Sequence, residues 1–141
     1  MIHRCKTVAE LAEVADGDVR KLLWELGKSV PWTDTKDRED IDGEARRTMK
    51  RGKGDCWSMA CVVYCVLGIW GWKRYILVAC PKKSLDQEWS RHAVCVFEMP
   101  DGTVGYTSNS VLRETRHAYD DTEGIARELY PVDYDSCEVY R

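Results

Sequence analysis

Gly52-Lys53-Gly54-Asp55-Cys56-Trp57-Ser58-Met59-Ala60, continuing without a charge to Leu67, is the stretch on which the chain is organised. Residues 56–67 are apolar on every side, which predicts a central helix covered by other elements, with Gly68 as its stop. Asp55 suits the N-cap because its carboxylate can accept an amide of the first turn, and Gly52 and Gly54 let the backbone turn sharply and approach closely. Cys56 then falls at the first helical position. Unpaired amides and the positive end of the helix dipole favour a thiolate there, and the same amides can hold the oxyanion of a tetrahedral intermediate. The charge of Asp55 opposes a second anion beside it, so an activated thiol needs an imidazolium nearby.

Upstream, residues 7–26 carry apolar side chains at helical spacing behind a Thr7–Glu10 capping box, with Gly27 as a stop and Asp16-Gly17-Asp18 as a point where the helix can divide. Pro31-Trp32 leads into a charge-dense stretch, 33–42, expected as a solvated surface loop, and then a short helix near 43–50. Downstream, 75–80 reads as a buried strand ended by Pro81, and 81–90 as a polar loop. Residues 92–99 and 103–109 read as a hairpin whose turn, Pro100-Asp101-Gly102, suits a type I turn with a glycine bulge. A helix at 122–130 and a strand at 136–140 follow. Helices and then a β meander predict an α+β domain, with the central buried helix and its neighbours on one side of an antiparallel sheet.

Of the 141 residues, 44% are hydrophobic and 32% charged, with a net charge of -3. That balance fits a single domain over 1–141 whose first 30 or so residues form a helical segment, and it supplies no electrostatic attraction for nucleic acid or anionic membrane. The opening Met1-Ile2-His3-Arg4-Cys5-Lys6 is not an apolar signal segment, and 59–67 is far too short to span a bilayer. Seven cysteines, an odd number, fit a reducing, cytoplasmic setting better than a disulfide framework. There is no CxxC, and the spacing of Cys56, Cys61 and Cys65 does not match structural zinc patterns, so neither metal nor cofactor is expected.

A thiolate on a helix needs a base, and the chain has three histidines. His3 lies at a terminus, and His117 sits among charged residues as a surface histidine would. His92 opens an apolar strand where a ring can be partly buried and fixed, and it is the candidate base. The third member must accept a hydrogen bond from the other ring nitrogen. Asp101 is excluded, because nine residues of strand set it about 30 Å away at the hairpin tip. Asn109, at the end of the returning strand, is the strongest acceptor. A bulge register pairs His92 with Ser110 and turns Asn109 to the other face, whereas a two-residue loop pairs His92 with Asn109 directly; turn type therefore decides the assignment, and Asn109 and Ser108 both stand open as the third residue. Each residue taken alone has a packing explanation; it is their conjunction that suggests a site.

Gly54-Asp55-Cys56-Trp57 resembles the nucleophile motif shared by papain-like proteases and transglutaminases. His92-Ala93-Val94-Cys95-Val96, with the hairpin that later reaches Asn109, resembles the histidine and Asp/Asn strands of the transglutaminase-like branch, in the same chain order. Leu67-Gly68-Ile69 and Tyr75-Ile76-Leu77-Val78 are similar to that branch's helix end and first core strand, so the likeness covers about residues 40–110. It implies a papain-like core and thiol-based acyl transfer at a carboxamide of a peptide or protein: hydrolysis, deamidation or cross-linking. Cys56 would be the nucleophile, His92 the base, Asn109 the orienting residue, and Trp32, Trp57 and Trp89 the walls of an acyl groove. The branch usually has aspartate as its third residue, and no glutamine of the papain kind stands upstream of Cys56. An indole N–H from Trp32 could take the place of that oxyanion donor. The alternative is a catalytically inactive binding module on the same fold, using the aromatics without turnover.

Overall fold

The computed structural model describes residues 4–33, 38–82 and 91–141. Among these, five helices and five strands follow in the order α1 (Val8–Ala15), α2 (Val19–Ser29), α3 (Ile41–Arg51), α4 (Cys56–Ile69), β1 (Arg74–Pro81), β2 (His92–Glu98), β3 (Val104–Ser108), β4 (Val111–Thr115), α5 (Thr122–Leu129) and β5 (Tyr134–Tyr140). The strands form one antiparallel sheet in the order β4-β3-β2-β1-β5, so the protein is α+β. No helix among the described residues is long and apolar enough to cross a membrane. All seven cysteines carry free thiols.

Thr7 caps α1, its Oγ1 accepting from the Glu10 amide at 3.0 Å, while the returning Glu10 Oε1 accepts from the amide of Lys6, one residue before the N-cap, at 2.8 Å. The helix divides at Asp16, which adopts a left-handed φ of 47°, and Asp18 caps α2. Two expected stops are not stops. α2 runs past Gly27 to Ser29, where the buried Ser29 Oγ accepts the Cys5 amide and ties the helix end to the N-terminal strand of chain. α4 runs past Gly68 to Ile69. Its terminator is Gly71, at φ 78°, with Gly71 N bonding Gly68 O and Trp72 N bonding Leu67 O, the paired bonds of a Schellman motif.

The helices do not all lie on one side, as the sequence reading expects. Ile76, Val78, Ala93, Cys95 and Phe97 face α1–α4, with α4 buried along most of its length. The alternate residues Tyr75, Leu77, Val94, Val96 and Tyr106 face α5, through Ile125 and Ala126, and Tyr134. Because both faces are covered, β1 and β2 read as continuous apolar runs without polar alternation, and the sequence therefore holds no mark of which face is second.

The β2–β3 hairpin settles the register. Gly102, at φ 89°, donates to Met99 O at 2.9 Å, and Met99 N donates to Thr103 O at 2.8 Å, a type I turn closed by a glycine bulge. The ladder runs from Glu98 opposite Val104 to Val94 opposite Ser108. Ser108 therefore shares a face with Val94 and, two residues earlier on the strand, with His92.

Candidate functional site

Asp55 caps α4 with its carboxylate on the Ser58 amide at 3.0 Å, and Cys56 is the first helical residue. The loop before it is tightly seated. Gly54 donates to Pro31 O and accepts from Thr33 N at 2.8 Å, forming a short parallel bridge that sets Trp32 beside the loop. A Cβ on Gly54 would stand 2.4 Å from the Ser58 Cβ, so a residue without a side chain is required there by contact.

The Cys56 thiol rests against the backbone on both sides of His92: its Sγ is 4.0 Å from Arg91 O, and the Ala93 amide points to it. The His92 ring is half-buried, and its Nε2 is 2.7 Å from Ser108 Oγ. Nδ1 makes no hydrogen bond among the described residues, and by the alternation of β2 the ring lies with Ser108 on the Val94 face, whereas Cys56 rests on the Ala93 face. Sγ and the ring are not hydrogen-bonded to each other.

The orienting bond expected from Asn109 is made by Ser108 instead. The bulge register carries Asn109 off the strand and into the β3–β4 turn, where it adopts φ 56° and its buried Oδ1 has no partner among the described residues. Of the three tryptophans, Trp32 is 60% exposed beside the Cys56 loop. Trp57 is 6% exposed, donates Nε1 to Glu39 O, meets the Tyr140 ring edge-on at 5.2 Å, and borders a cavity with Asp40, Tyr64 and Arg141. Trp89 lies outside the described residues, as do His3 and most of the expected polar loop at 81–90.

The electrostatics differ from the expectation of a resting thiolate. Burial pushes the Cys56 thiol above its ordinary value, and the Asp55 carboxylate adds to this; the Ala93 amide and the Arg38 guanidinium pull the other way and do not outweigh it. Burial also lowers the His92 imidazole. Both groups are therefore neutral at rest near pH 7, and the helix terminus serves charge that develops during a reaction rather than a standing anion.

The sequence reading, which expects a solvated loop over 33–42 and a short helix near 43–50, assigns no role to Glu44. Glu44 is 1% exposed. Its carboxylate is bonded by Arg47 at 2.7 Å, the Glu39 amide at 3.1 Å and the hydroxyls of Ser58 and Thr48 at 3.2 and 3.3 Å. Ser58 Oγ is also 3.1 Å from Asp55, so one hydroxyl links the helix cap to the buried carboxylate of α3. The available signal was Glu44's place on the same helical stripe as Ala45, Thr48 and Met49. His117, expected as a solvated surface residue, bonds Asp121, the N-cap of α5, through Nδ1 at 2.9 Å and approaches Glu128 through Nε2 at 3.4 Å.

Compared with protein-family models, with curated proteins and with solved structures, the chain matches none.

Proposed function

We propose that the chain is a thiol-dependent acyl-transfer enzyme acting at a carboxamide of a peptide or protein. The observation that carries this reading is the seating of Cys56, at the first turn of a buried helix, against the backbone on both sides of His92, whose ring is held by Ser108 on the other face of β2. A helix-start cysteine followed by an antiparallel β1-β2-β3 meander, with histidine first on β2, agrees with the transglutaminase-like resemblance and with a papain-like core.

In the proposed reaction, the His92 ring reaches round the start of β2 to the Ala93 face, and its Nδ1 takes the thiol proton as Cys56 Sγ attacks the carboxamide carbon, forming the C–S bond. The oxyanion is held by the Cys56 amide at the start of α4, with the Trp32 indole as a second donor. Collapse breaks the C–N bond, the amine leaves with the proton from His92, and a thioester remains. Water or a second amine, deprotonated by His92, then attacks the thioester and releases the thiol. Ser108 acts only through His92, fixing the ring as the third member of a triad does.

The neutral, partly buried thiol and the lack of a direct Sγ–ring bond favour a second reading, the inactive binding module. One experiment separates them. An electrophilic thiol probe on a peptide amide scaffold should label wild-type protein at Cys56, lose that label in Cys56→Ala, and lose most of it in His92→Ala. Labelling of wild type that is equal in His92→Ala would leave the histidine without a role and support the binding module.

A further inference from the structure

A groove on the helical layer, between the start of α1, α3 and the second half of α4, encloses about 610 Å³, within the roughly 300–1,000 Å³ range of small-molecule sites. It lies at the opposite end of α4 from Cys56 and is independent of the reading of that residue. Its floor is apolar and includes the half-buried Val8 and Ile69, the latter 59% exposed. Its rim is cationic: Lys6, Arg46, Lys50 and Arg74 stand against one acid, Asp42, which already accepts from Cys65 Sγ at 3.5 Å. In a chain of net charge -3 this is a local reversal of sign.

Arg74 is held in place before any ligand arrives. Its Nε donates to Tyr64 O at 2.8 Å, its Nη1 to Trp72 O at 3.4 Å, and its guanidinium stacks 4.2 Å from the Tyr64 ring centroid. Gly68 makes room for it, since a Cβ there would stand 2.4 Å from Nη2. Nη2 itself has no hydrogen bond among the described residues. A fixed guanidinium with a donor to spare, set in an apolar wall, suits a carboxylate joined to an apolar body.

We propose that this groove binds a medium-chain acyl carboxylate, its chain on Val8 and Ile69 and its head group on Arg74, with Lys50 and Arg46 neutralising the charge. A neutral alcohol of the same length leaves the cationic rim unanswered, and a small inorganic anion leaves the apolar floor uncovered. Calorimetric titration of the full chain with decanoate, decanol, acetate and inorganic phosphate tests this. Decanoate should bind saturably at one site, at least about tenfold tighter than decanol, with acetate and phosphate weaker still. Arg74→Gln should bring decanoate down to the level of decanol. Lys50→Gln, at an exposed position that carries no packing, should weaken decanoate severalfold and leave decanol unchanged, while Ile69→Glu should abolish binding of both. Circular dichroism shows whether each variant is folded, and the two surface variants carry the test if Arg74→Gln is not. Absence of saturable decanoate binding, equal affinity for decanol, equal affinity for phosphate, or wild-type binding by folded Lys50→Gln and Ile69→Glu would each overturn the proposal.

Discussion

At the scale of single residues, the contact on which the proposed base depends is His92 Nε2 to Ser108 Oγ, which occupies one ring nitrogen and leaves only the other for proton transfer. Ser108→Ala should therefore lower kcat by one or two powers of ten with little change in KM, as loss of an orienting bond does. Asn109→Ala should leave kcat near wild type and instead destabilise the protein by about 1 kcal/mol, since alanine tolerates a left-handed φ poorly; Asn109→Gly should restore stability. Steady-state kinetics beside urea melts would read both effects, and a dead Asn109→Ala with an active Ser108→Ala would reverse the assignment. The pH dependence follows from burial. His92, neutral in the active form and with its value lowered below 6.5, should give a rising limb of kcat/KM centred below pH 6.5 and a plateau through neutrality. The sign for stability is the same: the unfolded imidazole binds its proton first, so folding stability is complete above about pH 6.5 and falls as pH drops toward the folded value. Cys56, raised by burial, should alkylate with iodoacetamide at a rate still climbing past pH 9, where a resting thiolate would already have levelled off. The cysteine and histidine were legible because a cap and a strand start are local signals. Serine against asparagine was not, because a single bulged residue in a distant turn decides which of them shares the face of His92.

At the scale of elements, the start of α4 is held to α3 by the chain Asp55–Ser58–Glu44, in which the single Ser58 hydroxyl proton is shared between the two carboxylates while Arg47 and the Ser58 amide supply further donors. Glu44→Ala would leave the hydroxyls of Ser58 and Thr48 and the Arg47 guanidinium without their shared acceptor in a buried setting, at a cost of about 3 kcal/mol. Asp55→Ala removes the cap of α4 together with an acceptor of the Ser58 hydroxyl and should cost about 1–2 kcal/mol, with a larger loss of turnover than Glu44→Ala at temperatures where both are folded, because Cys56 hangs directly from that turn. Gly54→Ala should be worse than Gly71→Ala, since the first drives a Cβ into Ser58 and the second meets nothing within 4 Å and suffers only from its φ of 78°. Urea denaturation of the four variants gives the ranking, and equal losses at Gly54 and Gly71 would show that the loop before Cys56 is free to shift. Helix starts were legible, at Thr7, Asp18 and Asp55, because a capping side chain acts within its own turn. Helix ends at Gly27 and Gly68 were misread because each glycine sits in a helix held by tertiary contacts, and a weak local preference yields to them.

At the scale of the molecule, the sheet separates two apolar clusters, one under α1–α4 and one under α5, and the candidate pair sits where the end of β2 meets both: the thiol against the backbone near Ala93 of the first, the ring on the face of Val94 in the second. The second cluster was hidden in the sequence because continuous apolar strands conceal which residues point which way, and α5 is short. This arrangement makes the rigidity of the site depend on both layers. Leu67→Ala in the first cluster and Ile125→Ala in the second each remove a fully buried side chain and should cost about 2–5 kcal/mol. The two positions share no partner and are separated by the thickness of the sheet, about 10 Å to each packed layer, so the double variant should lose the sum of the two to within about 0.5 kcal/mol. It should do so in one transition with an unchanged urea m-value if the two clusters unfold together. A double variant that melts in two steps would mean that α5 and its face detach while α4 and its partners stay folded. In that case His92 would lose the face that holds its ring while Cys56 kept its helix, and thiol-probe labelling of Cys56 should fall in the first step, before the helical signal of α1–α4 is lost.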